Sequence, residues 1–358
     1  MNEWKKVKLR ELITIRNGKD HKLLHDGIYP VYGSGGIMRY VDRFLYDKES
    51  VLLPRKGTLN NIQYAKSPFW TVDTCYYTVV DTEKVNPYFL YRYLGLFDIE
   101  SLNTGSAVPS MTFDKYYSLD IHLPSIDTQQ RIATILSSYD SLIENYQKQI
   151  KLLEESAQRL YKEWFIDLCF PGHENTKIVD GVPEGWEKKK VGALISKVRR
   201  TKQVSANNYL NSGCIPVIDQ SRNYIAGYTN DIESLVKVTI PYIVFGDHTR
   251  VLKYVPFSFA KGADGTQLIM SNDLERMPQS LFYNSLIEID LSNYSYARHF
   301  KYLKEESILV PPKDIAQRYD KVVSQYCQSI QKCRDQIRHL TEARDRLLPK
   351  LMNGEIGV

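Results

Sequence analysis

From residue 132 the apolar positions step by four and three without interruption: Ile132, Leu136, Tyr139, Ile143, Tyr146, Ile150, Leu153, Ala157, Leu160 and Trp164. The same stepping recurs at Tyr319, Val323, Tyr326, Ile330, Cys333, Ile337, Leu340, Arg344, Leu347 and Leu351, with Arg344 the one misfit. Such steps draw a narrow stripe along a helix, the a/d seam through which two helices pair. Neither run meets Gly or Pro before Pro171 and Pro349. Each therefore predicts a helix of about 38 residues, near 57 Å long at 1.5 Å per residue. Asp127 and Asp314, each just after a proline, are the expected N-caps. A seam this long, found twice, predicts that the helices pair with each other rather than each lying on its own globule. Two equivalent units about a pseudo-two-fold axis would pair antiparallel, with a globule at each end of the rod.

The recurrence extends beyond the helices. Pro124, Asp127, Gln130, Arg131 and Tyr139 return 187 positions later as Pro311, Asp314, Gln317, Arg318 and Tyr326. Trp4, Leu9 and Leu12 keep the spacing of Trp186, Val191 and Leu194, and Pro30-Val31 matches Pro216-Val217. The chain reads as one unit used twice. The expected divisions are a first globule at 1–126, a long helix at 127–166, a linker and second globule at 167–313, and a second long helix with its tail at 314–358. Short strands are expected at Tyr29–Tyr32, Val51–Leu53, Thr71–Val80, Pro216–Asp219, Tyr242–Phe245 and Thr266–Ile269. Asn86-Pro87 reads as the cap and first turn of a helix over Tyr88–Leu94, and residues 171–185 as a polar linker. The fold class is mixed α/β, two repeated globules joined by two long antiparallel coiled-coil helices.

Composition narrows the function classes. The 358 residues are 43% hydrophobic and 25% charged, a balance that argues against global disorder. No apolar run reaches the roughly 18 residues of a membrane span, and the N-terminus lacks a signal-peptide core. Five scattered cysteines without a CxxC fit reduced thiols and a cytoplasmic location rather than a disulfide framework or zinc site. The net charge of +5 is modest and no basic tail occurs, so any nucleic-acid binding uses shaped patches.

Catalytic motifs are missing. Gly33-Ser34-Gly35-Gly36 lacks the spacing of a nucleotide-phosphate loop and reads as a turn, or as a place where backbone approaches DNA. Asp247-His248-Thr249-Arg250 has no second catalytic group placed by a recognisable motif. What remains suits nucleic-acid reading. Arg55, Lys56, Thr58, Asn60 and Asn61 follow a strand in the first copy. Asp247, His248, Thr249, Arg250 and Lys253 follow the matching strand in the second. Arg and Lys pair with phosphate or guanine, and Asn pairs with adenine. Ser106, and Arg298 ahead of the second helix, are further candidates, and Lys188–Lys190 with Arg199–Lys202 add local charge. The bland alternative for every one of these is a solvated surface loop.

The duplicated order, the matched helix starts and the segments VLLPRKGTLNNIQYA, FGDHTRVLKYV and FPGHENTKIVDGVPEGW resemble the DNA-specificity subunit of type I restriction-modification systems. The resemblance implies that each globule is a target-recognition domain reading one half of a bipartite double-stranded DNA sequence, and that the rod sets the spacing. It also implies two modification subunits, which carry S-adenosylmethionine and methylate adenine, and two restriction subunits. This chain itself would bind no cofactor or metal and catalyse nothing. A competing reading is a coiled-coil scaffold whose globules bind proteins. A stand-alone methyltransferase is disfavoured by the lack of a cofactor motif.

Overall fold

The structure, a computed structural model, describes residues 4–103, 108–199, 201–294 and 298–358. The chain packs as two units, Met1–Asn145 with Ile337–Val358, and Tyr146–Gln336. Two helices run from one unit into the other, Ile126–Tyr161 and Lys313–Met352.

The first unit begins with an antiparallel ribbon, Lys5–Lys8 against Asp120–Leu123. An antiparallel sheet follows in the order Ile13–Arg16, Cys75–Val80, Ser50–Pro54 and Gln63–Ala65. A second sheet pairs the hairpin Asp26–Gly33/Gly36–Val41 with Trp70–Thr71, the last strand parallel. The second unit repeats the plan. Its ribbon is Glu187–Lys190 with Ser307–Val310, and its antiparallel sheet is Leu252–Val255, Tyr242–Gly246 and Thr266–Ile269. Its other sheet again carries a parallel pairing, Ile215–Ile218 with Phe259–Lys261. Both globules place a helix after the antiparallel sheet, Pro87–Leu94 and Gln279–Ile287. The Asn86 side chain caps the first of these by accepting from Phe89 N at 2.9 Å, as its Asn-Pro start predicts.

Each core draws on its globule and on both long helices. In the first unit Leu53, Phe89 and Ile121 pack with Ile132 and Leu136 of one helix and Leu351 of the other. In the second, Phe245, Phe282 and Val310 pack with Ala157 and Tyr161, and with Tyr319 and Val323. Burying each such side chain is worth about 1.5–3 kcal/mol, so the helix ends are held by globule as well as by partner helix. Every seam position from Ile132 to Trp164 and from Tyr319 to Leu351 is buried or half-buried. The pairing is antiparallel within each unit: Asp140 meets Arg344 and Arg131 meets Val358 in one, Ala157 meets Tyr319 and Gln149 meets Cys333 in the other.

Two local expectations change. Asp127 and Asp314 lie inside the first helical turn, after Ser125 and Pro312, rather than capping it. Ser125 Oγ takes the cap role by accepting from Thr128 N at 3.3 Å. The acidic residues remain at a favourable position for the helix dipole. The second helix runs through Pro349 to Met352, as the seam to Leu351 requires, since a proline in the last turns removes one hydrogen bond without ending a helix already held by Leu351. The stretch Thr71–Val80 is two strands, Trp70–Thr71 and Cys75–Val80, in different sheets.

Candidate nucleic-acid interface

In the first unit the loop after Ser50–Pro54 is tied to its neighbours at four points. Asn61 Nδ2 donates to Ser34 O at 2.7 Å and Gln63 Nε2 to Gly33 O at 2.8 Å, both on the hairpin turn. Arg55 N donates to Thr74 O at 2.8 Å, and Gly57 N to Pro109 O at 3.0 Å. Gly57 has φ +88°, a conformation that suits glycine and lets the loop fold against Ser34. Lys56 and Thr58 are left exposed, while Arg55 is half-buried with its guanidinium 5.8 Å from the Tyr76 ring centroid. Asn60 is exposed at its surface, but its amide is engaged: its Oδ1 accepts from Glu100 N at 2.9 Å and its Nδ2 donates to Asp98 at 3.3 Å. Ser106 lies outside the described residues.

The second unit gathers the corresponding loops. Thr249 Oγ1 donates to Gln220 O at 2.6 Å, Gln220 Nε2 to Asp264 O at 3.0 Å, and His248 N to Gln220 Oε1 at 3.1 Å. Gln220 thus does for this unit what Ser34 does for the first: its carbonyl receives the side chain of the adjoining loop. Asp247 N donates to Gly265 O at 2.7 Å, as Arg55 N does to Thr74 O. Asp247 O and Arg55 O each accept a backbone N–H at 2.9 Å, from His299 and Met111. Arg55 and Asp247 therefore occupy one backbone position with opposite charge. His248, Thr249, Arg250 and Arg298 are exposed. Arg250 has φ +62° and closes the turn by donating its N–H to Gly246 O at 2.8 Å. A non-glycine residue held there stores strain of order 1–3 kcal/mol, of the kind concentrated at functional loops.

Two candidate contacts serve the fold instead. Lys253 is 4% exposed and gives its ammonium to Asp219 O and Asn223 O at 2.8 and 2.6 Å. Burial pushes its pKa down to about 8, against the opposing pull of Asp219. Asp247 is equally buried, and its carboxylate accepts from Phe300 N at 2.8 Å, anchoring the start of the helix His299–Glu305. Lys189 and Lys190 pair with Glu187 and Glu305, and Lys202 with Asp231 and Glu233, at the surface. Sequence reasoning read Gly33–Gly36 as a turn or a backbone approach to DNA without assigning Ser34 its role, and missed Gln220 and Thr74; all three organise the loops. Ser34 and Thr74 contribute through main-chain carbonyls, which a motif search does not see, and Gln220 through its carbonyl and its amide, whose partners lie in distant loops. Among the described residues no cluster of His, Cys, Asp and Glu suits a metal ion, and no helix is long and apolar enough to cross a membrane.

Residues 1–155 match the model of the type I restriction modification DNA specificity domain. Over those residues the chain is similar to a type I specificity domain. Its likeness to specificity subunits continues past the matched residues. The MjaIX specificity subunit of Methanocaldococcus jannaschii is 26% identical over 345 residues, covering 88% of this chain and 79% of that one. The EcoprrI specificity subunit of Escherichia coli is 27% identical over 176 residues, 47% of this chain and 43% of that one. The crystal structure of the S subunit of a type I restriction-modification system from M. genitalium has the same fold, with a TM-score of 0.66 at 18% identity over 97% of this chain and 96% of that one. The specificity-domain match thus covers the first globule and most of its long helix. The repeated sheet topology extends the same architecture to the second.

Proposed function

We propose that this chain is the DNA-recognition subunit of a type I restriction-modification complex, with one globule reading each half of a bipartite target. The observation that carries the reading is the pair of loop clusters. They hang on equivalent bonds around Ser34 and Gln220, yet present Lys56 and Thr58 in one unit and His248 and Arg250 in the other. Equal frames with unequal side chains suit an asymmetric target in two parts. The globules at 1–126 and 167–313 are the readers, and the helices at 127–166 and 314–358 fix the spacer.

The chain does not catalyse; it directs partners that methylate adenine with S-adenosylmethionine and cut DNA. Two modification subunits fit the duplication. Each unit has a groove between globule and long helices, one of about 400 Å³ lined by Gln130 and Ser137, the other of about 310 Å³ lined by Gln317 and Ser324. These two pairs share the 187-residue offset, so each groove offers a Gln and a Ser at repeated positions to two copies of one partner. Two restriction subunits and action in the cytoplasm, where the chromosome lies, complete the reading. The test is methylome sequencing of cells with and without the gene. A bipartite adenine-methylated motif that vanishes with the gene is expected; an unchanged methylome refutes the reading.

A further inference from the structure

Ile37 and Met38 stand at the tip of the hairpin Asp26–Gly33/Gly36–Val41 and are 49% and 58% exposed. Val31 pairs with Arg39 and Tyr32 with Ile37, so Met38 is the extra residue of a bulge. Bulges of this kind re-aim a side chain. Its thioether lies over Gly33, where an added Cβ would come within 2.8 Å of Met38 Sδ. The turn beyond is bare: nothing lies within 4 Å of a Cβ placed on Gly35 or Gly36. A slim two-stranded ribbon fits the roughly 12 Å major groove of B-DNA.

The tip also belongs to the candidate interface. Ser34 O holds Asn61, Gly33 O holds Gln63, and a Cβ on Gly57 would lie 3.1 Å from Ser34 Oγ. Exposed Lys56 immediately precedes Gly57 in the loop packed on this turn, and a cation on the loop behind an apolar pair complements a polyanion that carries apolar groups. In the major groove of unmodified DNA the apolar group on the base edges is the thymine 5-methyl. At the corresponding connection of the second unit, after its strand Ile215–Ile218, the exposed residues are Arg222 and Asn223, and Tyr224 and Ile225 are half-buried.

We infer that Met38 and Ile37 read thymine methyl groups, in the first half-site only; the inference rests on the DNA-recognition reading above. The test uses the full chain in complex with its modification subunits and duplexes in which each thymine is replaced in turn by deoxyuridine. That exchange removes the methyl and keeps the pairing. The wild type is expected to lose about fourfold in affinity per contacted methyl, the factor for one buried apolar carbon. Met38→Ala or Ile37→Ala should bind thymine duplexes more weakly, show no further loss with deoxyuridine at that base, and keep the wild-type salt dependence. Circular dichroism of each variant checks the fold. A first half-site of G·C pairs alone, indifference of the wild type to every thymine there, or equal deoxyuridine sensitivity in wild type and variants would overturn the inference. So would Met38→Asp losing a protein subunit while binding DNA as before, which would mark a protein-docking patch. Absence of any sequence-specific binding by the wild-type complex would overturn the reading of function itself.

Discussion

Replacing Asp140 by alanine should be the most damaging single change to the first unit outside its apolar core. Asp140 lies on the first long helix and accepts from Tyr88 and Arg92 of the globule, and from Arg344 of the second long helix at 2.8 Å. The Asp140, Arg92 and Arg344 side chains are 14%, 13% and 17% exposed. Arg344, the misfit in the seam, is thus matched by a carboxylate that also clamps the globule. Removing the shared anion strands the Arg92 guanidinium in a largely dry site and leaves Arg344 with only its surface partner Asp345, for a cost of about 3–5 kcal/mol. Arg344→Ala leaves Asp140 paired with Arg92 and Tyr88, and forfeits one half-buried charged hydrogen bond worth about 1.5–3 kcal/mol, together with an exposed pair to Asp345 that adds little. The order is therefore Asp140→Ala well above Arg344→Ala. Burial alone would raise the Asp140 pKa, but Tyr88, Arg344 and Arg92 outweigh it and hold the carboxyl below its usual range. Its contribution is present above the unfolded carboxylate pKa near ~3.9 and is lost as pH falls through the lower folded value. The gap between wild type and Asp140→Ala should thus be constant from about pH 5 to 8 and close below pH 4. Urea unfolding gives the magnitudes, and hydrogen exchange over residues 130–145 and 337–350 gives the location. Equal costs for the two variants, or a loss of protection confined to the second unit, would refute the reasoning.

Four further outcomes follow from the same geometry. One heptad inserted after Leu153 and another after Leu340 keeps the seam, adds about 10 Å of helix, and should widen the methylated motif's spacer by roughly three base pairs at about 3.4 Å each; an unchanged spacer in the methylome counts against a spacing role. Lys56→Ala should weaken binding to all sequences and lower the salt slope by about 0.9, whereas Arg250→Ala should change base preference in the second half-site alone, as read on single-base duplex panels at two salt concentrations. Asp247→Ala should cost about 1 kcal/mol or more by uncapping the helix His299–Glu305 without changing half-site preference, measured by urea unfolding alongside the same panels. Lys253 binds a proton less tightly folded than unfolded, so between about pH 8 and 10 the unfolded chain holds more protons and stability rises with pH; Lys253→Met should flatten that rise in denaturant titrations.

The long helices were legible because a seam is a property of spacing, and spacing survives any choice of polar residues between. The sheet strands Val51–Leu53 and Tyr242–Phe245 were legible because they are continuous apolar runs, buried in the structure as Ser50–Pro54 and Tyr242–Gly246. The ribbons were not. Lys5–Lys8 and Glu187–Lys190 read KKVK and EKKK, and their strand state comes from long-range pairing with Asp120–Leu123 and Ser307–Val310. Lys253 and Asp247 misled for a related reason. Charge suggests solvent unless a partner is in view, and their partners lie in other loops: Asp219 and Asn223 for one, Phe300 for the other.

The two loop clusters show how one frame carries two chemistries. The bonds that fix the chain after the central strand run from main chain to main chain: Arg55 N and Asp247 N to Thr74 O and Gly265 O, then Met111 N and His299 N back to Arg55 O and Asp247 O. A side chain at such a position is not needed to hold the loop, so arginine can stand in one copy where aspartate stands in the other. The tie to the neighbouring turn likewise ends on a carbonyl, Ser34 O or Gln220 O, and is reached by an asparagine in one unit and a threonine in the other. Because the frame constrains backbone and leaves side chains to vary, the exposed residues Lys56, Thr58, His248 and Arg250 can differ between units at little cost to folding. On the proposed reading, duplication of such a frame yields two readers at once, and divergence of a few loop side chains is then sufficient to make their targets unequal.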